Sequence, residues 1–320
     1  MSTFDITVVG DTNIDLLLNG LPADLPPERE LAVQEMALAL GGSAAITAHN
    51  LAALGARVGL VTALPEDLFA LSCVEQLHSA GVDLARRVSS QESTGVTVLL
   101  QHTHFRRAFT YPGSAGKLRF SDLDLAYLRR ARHFHLSSFF LQRELREDVP
   151  ELLANLKQSG LTTSLDTNDD PWDEWSGPIS ESLQYVDVLM PNEREACRLA
   201  GEADLDRAIA TLRRAVPVLV VKRAAKGAMV FHGEDSLALP PIDVRYRDAV
   251  GAGDSFNAGF LYGYINGWSL PQCLELGNLS GAYSTTQAGG VAAFRDRSAM
   301  HAFFAMHAQN LGSVPLGVPS

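Results

Sequence analysis

The sequence is poor in the residues that stabilise secreted and membrane proteins. Its three cysteines, Cys73, Cys197 and Cys273, are far apart and form no C-x-x-C pair, which excludes a disulfide framework and a zinc site. No apolar run approaches the roughly 18 residues that a membrane span needs. No basic leader precedes the apolar run at residues 4–10. We therefore expect a cytoplasmic protein with free thiols and no membrane partner.

Positive charge is also scarce in this chain. The 26 lysines and arginines stand against 37 aspartates and glutamates, which gives a formal net charge of -11. The densest basic cluster is the short run at residues 129–132. Nucleic acid is therefore excluded as an expected partner, because its phosphates are bound mainly by Lys and Arg.

The remaining composition is that of a globular protein, with 46% hydrophobic and 20% charged residues. No internal repeat, low-complexity segment or long linker divides the chain. We therefore predict one domain over residues 1–320.

Short apolar runs alternate with helical patterns along most of the chain. Alternation of this kind predicts a largely parallel sheet with helices on both faces, a three-layer α/β/α fold in which ligands bind beyond the carboxyl ends of the strands. The predicted strands are 6–9, 58–62, 96–100, 133–136, 162–165, 186–190, 218–221 and 228–231, and the predicted helices include 44–54, 68–80, 145–159, 193–200 and 206–215.

Two stretches interrupt this alternation. The segment 12–37 is rich in Leu and Pro, and the segment 94–116 has the alternating pattern of a β-hairpin. Both segments are predicted to project from the main sheet and to form a small β lid.

A glycine-rich turn, Gly251-Ala252-Gly253-Asp254, precedes a helical pattern that runs to Ile265. The unpaired N–H groups at a helix start bind anions, so this turn is able to hold a phosphate group whose charge grows during transfer. Asp254 would then lie beside the attacking hydroxyl as a base. A simpler interpretation is that Asp254 only caps the helix.

The wider segment 248–256, D-A-V-G-A-G-D-S-F, resembles the signature of the ribokinase-like carbohydrate kinase family, except that Ala249 replaces the usual Thr. The resemblance implies a ribokinase-like fold, Asp254 as catalytic base, and an anion hole formed by Gly251, Ala252 and Gly253. It also implies that Asp248 and the carbonyls of residues 287–293 surround a potassium ion.

The segment 41–55, G-G-S-A-A-I-T-A-H-N-L-A-A-L-G, is similar to a second signature of the same family. By this resemblance Gly41, Gly42 and Ser43 approach the sugar. Ile46 stands where the family usually has Asn. Asn50 lies four residues later and is a candidate to present its amide on the same helical face.

The segment 10–15, G-D-T-N-I-D, follows the first strand and is similar to the family pattern G-x-x-N-x-D. The resemblance assigns Asn13 and Asp15 to the sugar hydroxyls. An Asx-type turn at the end of the strand explains Asn13 equally well.

The segment 191–195, P-N-E-R-E, is similar to the family motif N-x-x-E, which organises Mg²⁺ and phosphate through water. Asn192 and Glu195 are three residues apart and share one face of a helical turn. A capping box formed by the same two residues fits the local sequence as well.

The nucleotide side of the site is predicted from two further segments. Residues 220–228 look like the family's nucleotide loop, which makes Lys222, Ala224, Lys226 and Gly227 candidates for contact with ATP. By the same resemblance Asn278, on a predicted helix within 274–283, lies near the adenine.

The segment 166–172, D-T-N-D-D-P-W, is similar to the family's D-x-N-x-R-x-x-x-W stretch but lacks its Arg. The acids Asp169 and Asp170 in this region favour a neutral substrate over an anionic one.

Taken together, the motifs indicate an ATP- and Mg²⁺-dependent kinase that phosphorylates a primary hydroxyl of a neutral sugar. Two alternatives remain: a nucleoside kinase, and a catalytically silent sugar-binding relative. Family analogy also makes a homodimer an expectation. The aromatic candidates for stacking on a nucleoside base are Phe105, Phe109, Phe139 and Phe140.

Overall fold

The computed structural model describes residues 3–22, 24, 26–84, 88–101, 106–309 and 311. The strands in these ranges are β1 (Ile6–Val9), β2 (Asn13–Asn19), β3 (Glu35–Gly41), β4 (Val58–Val61), β5 (Ala63–Leu64), β6 (Val88–Ser89), β7 (Gly95–Gln101), β8 (Arg106–Tyr111), β9 (His133–Ser137), β10 (Thr162–Asp166), β11 (Val188–Leu189), β12 (Val218–Lys222), β13 (Ala228–His232) and β14 (Asp235–Leu239). The α-helices are α1 (Ser43–Ala53), α2 (Leu68–Ala80), α3 (Leu125–Leu128), α4 (Val149–Gln158), α5 (Ile179–Leu183), α6 (Glu193–Ala200), α7 (Leu205–Leu212), α8 (Ala252–Ile265), α9 (Leu270–Ser284) and α10 (Arg297–His307).

The central sheet has eight strands in the order β14-β13-β12-β11-β10-β9-β1-β4. The pairs from β12 to β4 are parallel, and only β13 and β14 at one edge run antiparallel to their neighbours. The predicted fold class is therefore confirmed, with an antiparallel hairpin added at the edge.

Both faces of this sheet are covered by helices. One face packs on α1, α2, α8, α9 and α10 through a core that includes Phe256 and Phe260, and the other packs on α3 to α7 through a core that includes Phe134 and Leu153. Because parallel strands are buried on both sides, they are apolar along nearly their whole length. The carboxyl ends of the strands, where ligands bind in such sheets, are left as the open edge.

The two segments predicted to form a lid contribute a separate four-stranded sheet in the order β3-β2-β7-β8. Its inner face packs Leu17, Ala39 and Leu99 against Val250 of the segment that precedes α8. By strand alternation its outer face carries apolar side chains, among which Met36, Leu38, Phe109 and Tyr111 are exposed. Movement of this sheet as a lid, and a homodimer, stay predictions.

Several predicted boundaries were wrong, for local reasons. The predicted strand 186–190 shortens to β11, because Val186 closes a turn onto Leu183 and a proline follows Met190. The predicted helix 145–159 begins only at Val149, after a 3₁₀ turn and with Pro150 in its first turn. The predicted helix 206–215 is observed as α7, whose N-cap is Asp204. Within the described residues, none of the helices is long and apolar enough to span a bilayer.

Candidate active site

The start of α1 is held by an acid from another part of the chain. Gly42 is the N-cap residue and has no side chain to offer, and the carboxylate of Asp11 instead accepts the N–H groups of Ser43 and Ala44, each at 3.2 Å. Burial raises the pKa of Asp11, while these amides oppose that rise by stabilising its charged form. Asp11 thereby ties the turn at residues 41–43 to the carboxyl end of β1.

Asn13 and Asp15, the predicted sugar ligands, lie on β2 with their side chains directly over Gly41. A Cβ atom at position 41 would collide with both side chains, which explains the glycine. Asn13 donates to the hydroxyl of Thr97 at 3.1 Å on the neighbouring strand β7, so it is part of the sheet and does not form the alternative Asx-type turn. Both residues are buried at the end of the lid sheet where it meets α1.

The predicted anion hole is formed as a tight turn followed by α8. Gly251 has a φ of 71°, in the left-handed region that favours glycine, and a Cβ atom there would lie 2.5 Å from the Cα of Gly290. The helix begins at Ala252, three residues earlier than predicted. The N–H of Ala252, predicted for the anion hole, instead donates to the Ala249 carbonyl at 3.2 Å, which leaves the N–H groups of Gly253 and Asp254 in the first turn without an intrahelical partner. The sequence-predicted turn and helix start are thus both present.

Asp254 lies in this first turn with only 8% of its surface exposed. The nearby Ser43 hydroxyl favours the charged form of its carboxylate, and that hydroxyl accepts the amide of Asn168 at 2.8 Å. Burial, and then the negative charge of Asp166, raise the pKa of Asp254 to about 6, although Lys222 opposes the rise. A carboxylate with this pKa is ionised near neutral pH and basic enough to take a proton.

Lys222 lies beside the anion hole, within 3.7 Å of the position that a Cβ atom on Gly253 would take. Its ammonium contacts Asp166 at 2.5 Å and the amide oxygen of Asn257 at 3.3 Å. Asn257 also donates to the same carboxylate oxygen of Asp166. Asp166 and Asn257 are fully buried, and the Lys222 side chain is 12% exposed. The sequence predicted contact of Lys222 with phosphate but gave no role to Asp166 or Asn257.

The other candidate lysine is placed differently. Lys226 lies at the surface, and its ammonium contacts Glu193 at 3.2 Å. Arg223 shares the same carboxylate at 2.9 Å. Ala224 is exposed between them in a 3₁₀ turn. Contact of Lys226 and Ala224 with nucleotide stays a prediction.

Asn192 and Glu195 form a complete capping box at the start of α6. Asn192 accepts the N–H of Glu195 at 2.9 Å, and Glu195 accepts the N–H of Asn192 at 2.8 Å. Glu195 is nevertheless buried, and burial together with the charge of Asp166 raises its pKa to about 7. The side chains of Glu195 and Asp166 are both carboxylates, and carboxylate oxygens are ligands that Mg²⁺ prefers.

A magnesium site of this kind would need ligands from outside the protein. In the part of the chain that the structure describes, no three His, Cys, Asp or Glu residues are grouped closely enough to hold a metal by themselves. Mg²⁺ usually keeps several waters and binds substrate phosphates through one or two carboxylates. Glu195 and Asn192 therefore fit a water-mediated Mg²⁺ bound with ATP.

The carboxylate of Asp248, proposed for potassium, accepts three N–H groups. Its Oδ1 accepts the side-chain amide of Gln101 at 2.9 Å and the N–H of Val250 at 3.0 Å, and its Oδ2 accepts the N–H of Gly289 at 2.8 Å. Gln101 is the last residue of β7 in the lid sheet. These donors already stabilise the buried charge, and potassium binding stays a prediction.

Asn278 is buried on α9, where its amide donates to the carbonyl of Pro240 at 3.1 Å. The backbone of Gly227 is packed against Leu239 and Pro240. The nucleotide-side candidates Asn278 and Gly227 are therefore brought together at the end of β14, and their contact with ATP stays a prediction.

The sequence made Asn50 a candidate for the substrate side of α1. In the structure its amide faces away from that side. Its amide donates to the Ser255 hydroxyl at 2.9 Å and to the Gly290 carbonyl at 3.0 Å, so it joins α1 to α8 and the 289–290 loop. Ile46 packs against Gly251 and Gly290 from the same helix. Both residues pack behind the turn at residues 251–253 and support it.

The acids at residues 169–170 are held by other groups of the chain, and their effect on the choice of substrate, like that of the missing Arg, stays a prediction. Asp170 is buried and accepts the N–H groups of Trp172 and Trp175, while Asp169 pairs with Arg194 at the surface. The charges of Asp11 and Asp166 act on Asp254, the charge of Asp166 also acts on Glu195, and Asp15 lies against Gly41.

None of the three described phenylalanines proposed for base stacking is placed for that role. Phe139 and Phe140 are fully buried in the core, and Phe109 lies on the outer face of the lid sheet. Phe105 lies outside the described residues.

Comparison with known proteins identifies this arrangement. The family model described as pfkB family carbohydrate kinase matches residues 3–297. The chain belongs to the pfkB family of carbohydrate kinases. Like other members of this family, it is an ATP-dependent kinase that acts on a sugar or a nucleoside.

Relatives within the pfkB family include nucleoside and sugar kinases. The chain is 30% identical over 286 residues to the cytidine kinase of Thermococcus kodakarensis, covering 85% of this chain and 93% of that one. It is 27% identical over 271 residues to the nucleoside kinase of Methanothermobacter thermautotrophicus, covering 84% and 85%. The ribokinase of Arabidopsis thaliana, solved with ribose and ATP, superposes with a TM-score of 0.80 at 25% identity, covering 94% of this chain and 98% of that chain.

Proposed function

We propose that this pfkB-family member transfers the γ-phosphoryl group of ATP to a primary hydroxyl of a neutral sugar. The substrate oxygen attacks the γ-phosphorus in line, the bond from that phosphorus to the β–γ bridging oxygen breaks, and ADP leaves. The hydroxyl proton passes to Asp254. The amides of Gly253 and Asp254 balance the charge on the transferred group.

The observation that supports this reaction most is the position of Asp254. It lies buried in the first turn of α8, next to the proposed anion-hole amides, and the Ser43 hydroxyl at the start of α1 favours the charged form of its carboxylate. A base and an anion hole on one helical turn are what phosphoryl transfer to a hydroxyl needs, because this chemistry depends on positioning and electrostatics.

A neutral acceptor is favoured by the charges around the site. Asp11, Asp15 and Asp254 are buried near the turn at residues 41–43. An anionic group on the acceptor would be repelled by these carboxylates in a low-dielectric environment. Hydroxyl groups, in contrast, donate hydrogen bonds to carboxylates at little cost.

ATP and Mg²⁺ are assigned to the opposite side of Asp254. Asn192 and Glu195 would hold Mg²⁺ through water, and Lys222 would meet the phosphates. Bound Mg²⁺ supplies positive charge to the phosphate oxygens, while the chain itself positions the acceptor and accepts its proton.

A nucleoside kinase is the second candidate, since the two relatives at 30% and 27% identity are named cytidine kinase and nucleoside kinase. A nucleoside presents the same kind of primary hydroxyl on a ribose ring. The sugar and nucleoside candidates differ only in what is attached to the sugar ring of the acceptor.

ADP release measured across ketohexoses, pentoses and nucleosides, including cytidine, tests the proposal. We expect the highest kcat/KM with a sugar that carries no charge. Turnover confined to nucleosides would establish the second candidate instead. Substrate binding without ADP release would establish a silent binding protein.

A further inference from the structure

A buried triangle of polar groups lies behind the anion hole. Asp166 comes from the end of β10, Lys222 from the end of β12 and Asn257 from the second turn of α8. Each member contacts the other two. The triangle therefore joins two parallel strands to the helix that carries Asp254.

Stability alone gives a poor account of this triangle. Removing a lysine and an aspartate from water is costly, and well-packed apolar residues of similar size often stabilise a core equally well. Val220, two residues before Lys222 on the same face of β12, is apolar and fully buried, so apolar side chains are accommodated next to the triangle. An ion pair retained beside the anion hole therefore points to a role in the reaction.

The Lys222 side chain is exposed only slightly, and its ammonium lies 3.7 Å from the Cβ position of Gly253. Gly253 supplies one of the anion-hole amides. An ammonium at that distance meets an oxygen of a phosphoryl group bound by these amides without a change in the backbone. Asp166 and Asn257 prevent the flexible lysine stem from turning away.

We propose that Asp166 is a positioning residue of the phosphoryl transfer, which holds the Lys222 ammonium where it neutralises the charge gained by the transferred group. This inference rests on the proposed kinase function and deepens it. Lys222 contacts the reacting phosphate, whereas Asp166 acts only through Lys222. The proton of the acceptor still passes to Asp254.

The same triangle acts on the base. The charged groups that face Asp254 are Asp166 from β10, Lys222 from β12 and Asp11 from the segment after β1. Asp166 and Asp11 raise the pKa of Asp254, and Lys222 lowers it. Loss of the Asp166 charge should therefore move the acid limb of the kcat profile to lower pH, and loss of the Lys222 charge should move it to higher pH.

The experiment compares kcat, KM for ATP and the pH profile of kcat in the wild type and in the D166N, K222M and D166N/K222M variants. We expect D166N to lower kcat on the order of 10²-fold by misplacing the ammonium, with its acid limb at lower pH. K222M should lower kcat on the order of 10² to 10³-fold, with its acid limb at higher pH. In the double variant the acid limb of the kcat profile should return to its wild-type pH, whereas kcat itself should stay below the wild-type value.

Asp187→Asn is the matched control, because Asp187 forms a lysine–aspartate pair with Lys157 at the opposite end of the same strands. It should leave kcat and its pH profile unchanged. Unchanged kcat in D166N, or an equal loss at every pH with no movement of the limb, would overturn the positioning role. If D166N does not fold, the D166N/K222M variant is used for the test, because it leaves neither the Asp166 nor the Lys222 charge buried without its partner. A kcat near the wild-type value in that double variant would contradict the proposal. An inactive wild type counts against the kinase function itself.

Discussion

The carboxylates at the two ends of the central sheet differ in how well nearby cations neutralise them. At the amino ends, Asp5 pairs with Arg57 and Arg132, and Asp187 pairs with Lys157. Burial alone would raise the pKa of Asp5, but its two guanidinium partners lower it to about 2. Here each carboxylate has at least one cation, and the pairs are open to solvent.

At the carboxyl ends, carboxylates outnumber cations. Asp166, Glu195 and Asp254 act on one another around Lys222, and the pKa of Glu195 rises to about 7 and that of Asp254 to about 6. Burial is the main cause in both cases. Buried carboxylates with too few cations to neutralise them have raised pKa values, and such groups are often found at functional sites.

The sharpest test of this contrast is Asp254→Asn. We expect kcat to fall on the order of 10² to 10⁴-fold, the usual contribution of a positioned base, while ATP binding measured by calorimetry is retained. Asp204→Asn is the matched control, since Asp204 is also an acid at a helix start and caps α7 far from the site. Near-normal turnover in Asp254→Asn would reduce Asp254 to a helix cap.

A smaller effect is expected for Glu195→Gln. Gln preserves the capping box of α6, so the thermal midpoint should change little. Its loss of charge should weaken the apparent affinity for Mg²⁺ roughly 10 to 100-fold, as for other residues that orient a metal. Mg²⁺ titration of the initial rate measures this. An unchanged Mg²⁺ dependence would leave Glu195 a capping residue only.

The smallest effect on catalysis is expected at the amino ends. Asp187 accepts the Lys157 ammonium at 2.6 Å and the N–H of Thr163 at 2.8 Å. Asp187→Asn should lower the free energy of unfolding by about 1.5–3 kcal/mol, the order of a hydrogen bond to a charged group, with kcat unchanged. Urea unfolding and initial rates check the two parts. A large loss of kcat would erase the contrast between the two ends.

Much of the fold followed from local patterns. The runs at 6–9 and 133–136 were predicted as strands because a parallel strand buried on both faces is apolar throughout. The helices 68–80 and 193–200 were predicted with the observed bounds, because each has a side-chain cap at its start and a glycine in the left-handed region after its end.

The site was predictable only where a short motif carries its own chemistry. Asp254 and its glycines are neighbours in the sequence, so the turn could be predicted from that one short segment. The Asp166 and Lys222 pair was not, because its members are 56 residues apart and meet only when two strands become neighbours of β11. Asp11 caps α1 from 33 residues away. An acid within two residues of the end of a predicted buried strand was the available signal for both Asp11 and Asp166.

The hydrogen bond from Gln101 to Asp248 links the order of the anion hole to the lid sheet. Gln101 ends a lid strand, and Asp248 also holds Val250 and Gly289 on either side of the catalytic turn. Lifting this strand would break a bond to a charged group, at about 1.5–3 kcal/mol. If the lid sheet moves as predicted, opening of the site would therefore be thermodynamically coupled to loosening of the turn at residues 251–253, which would lose one of its supports.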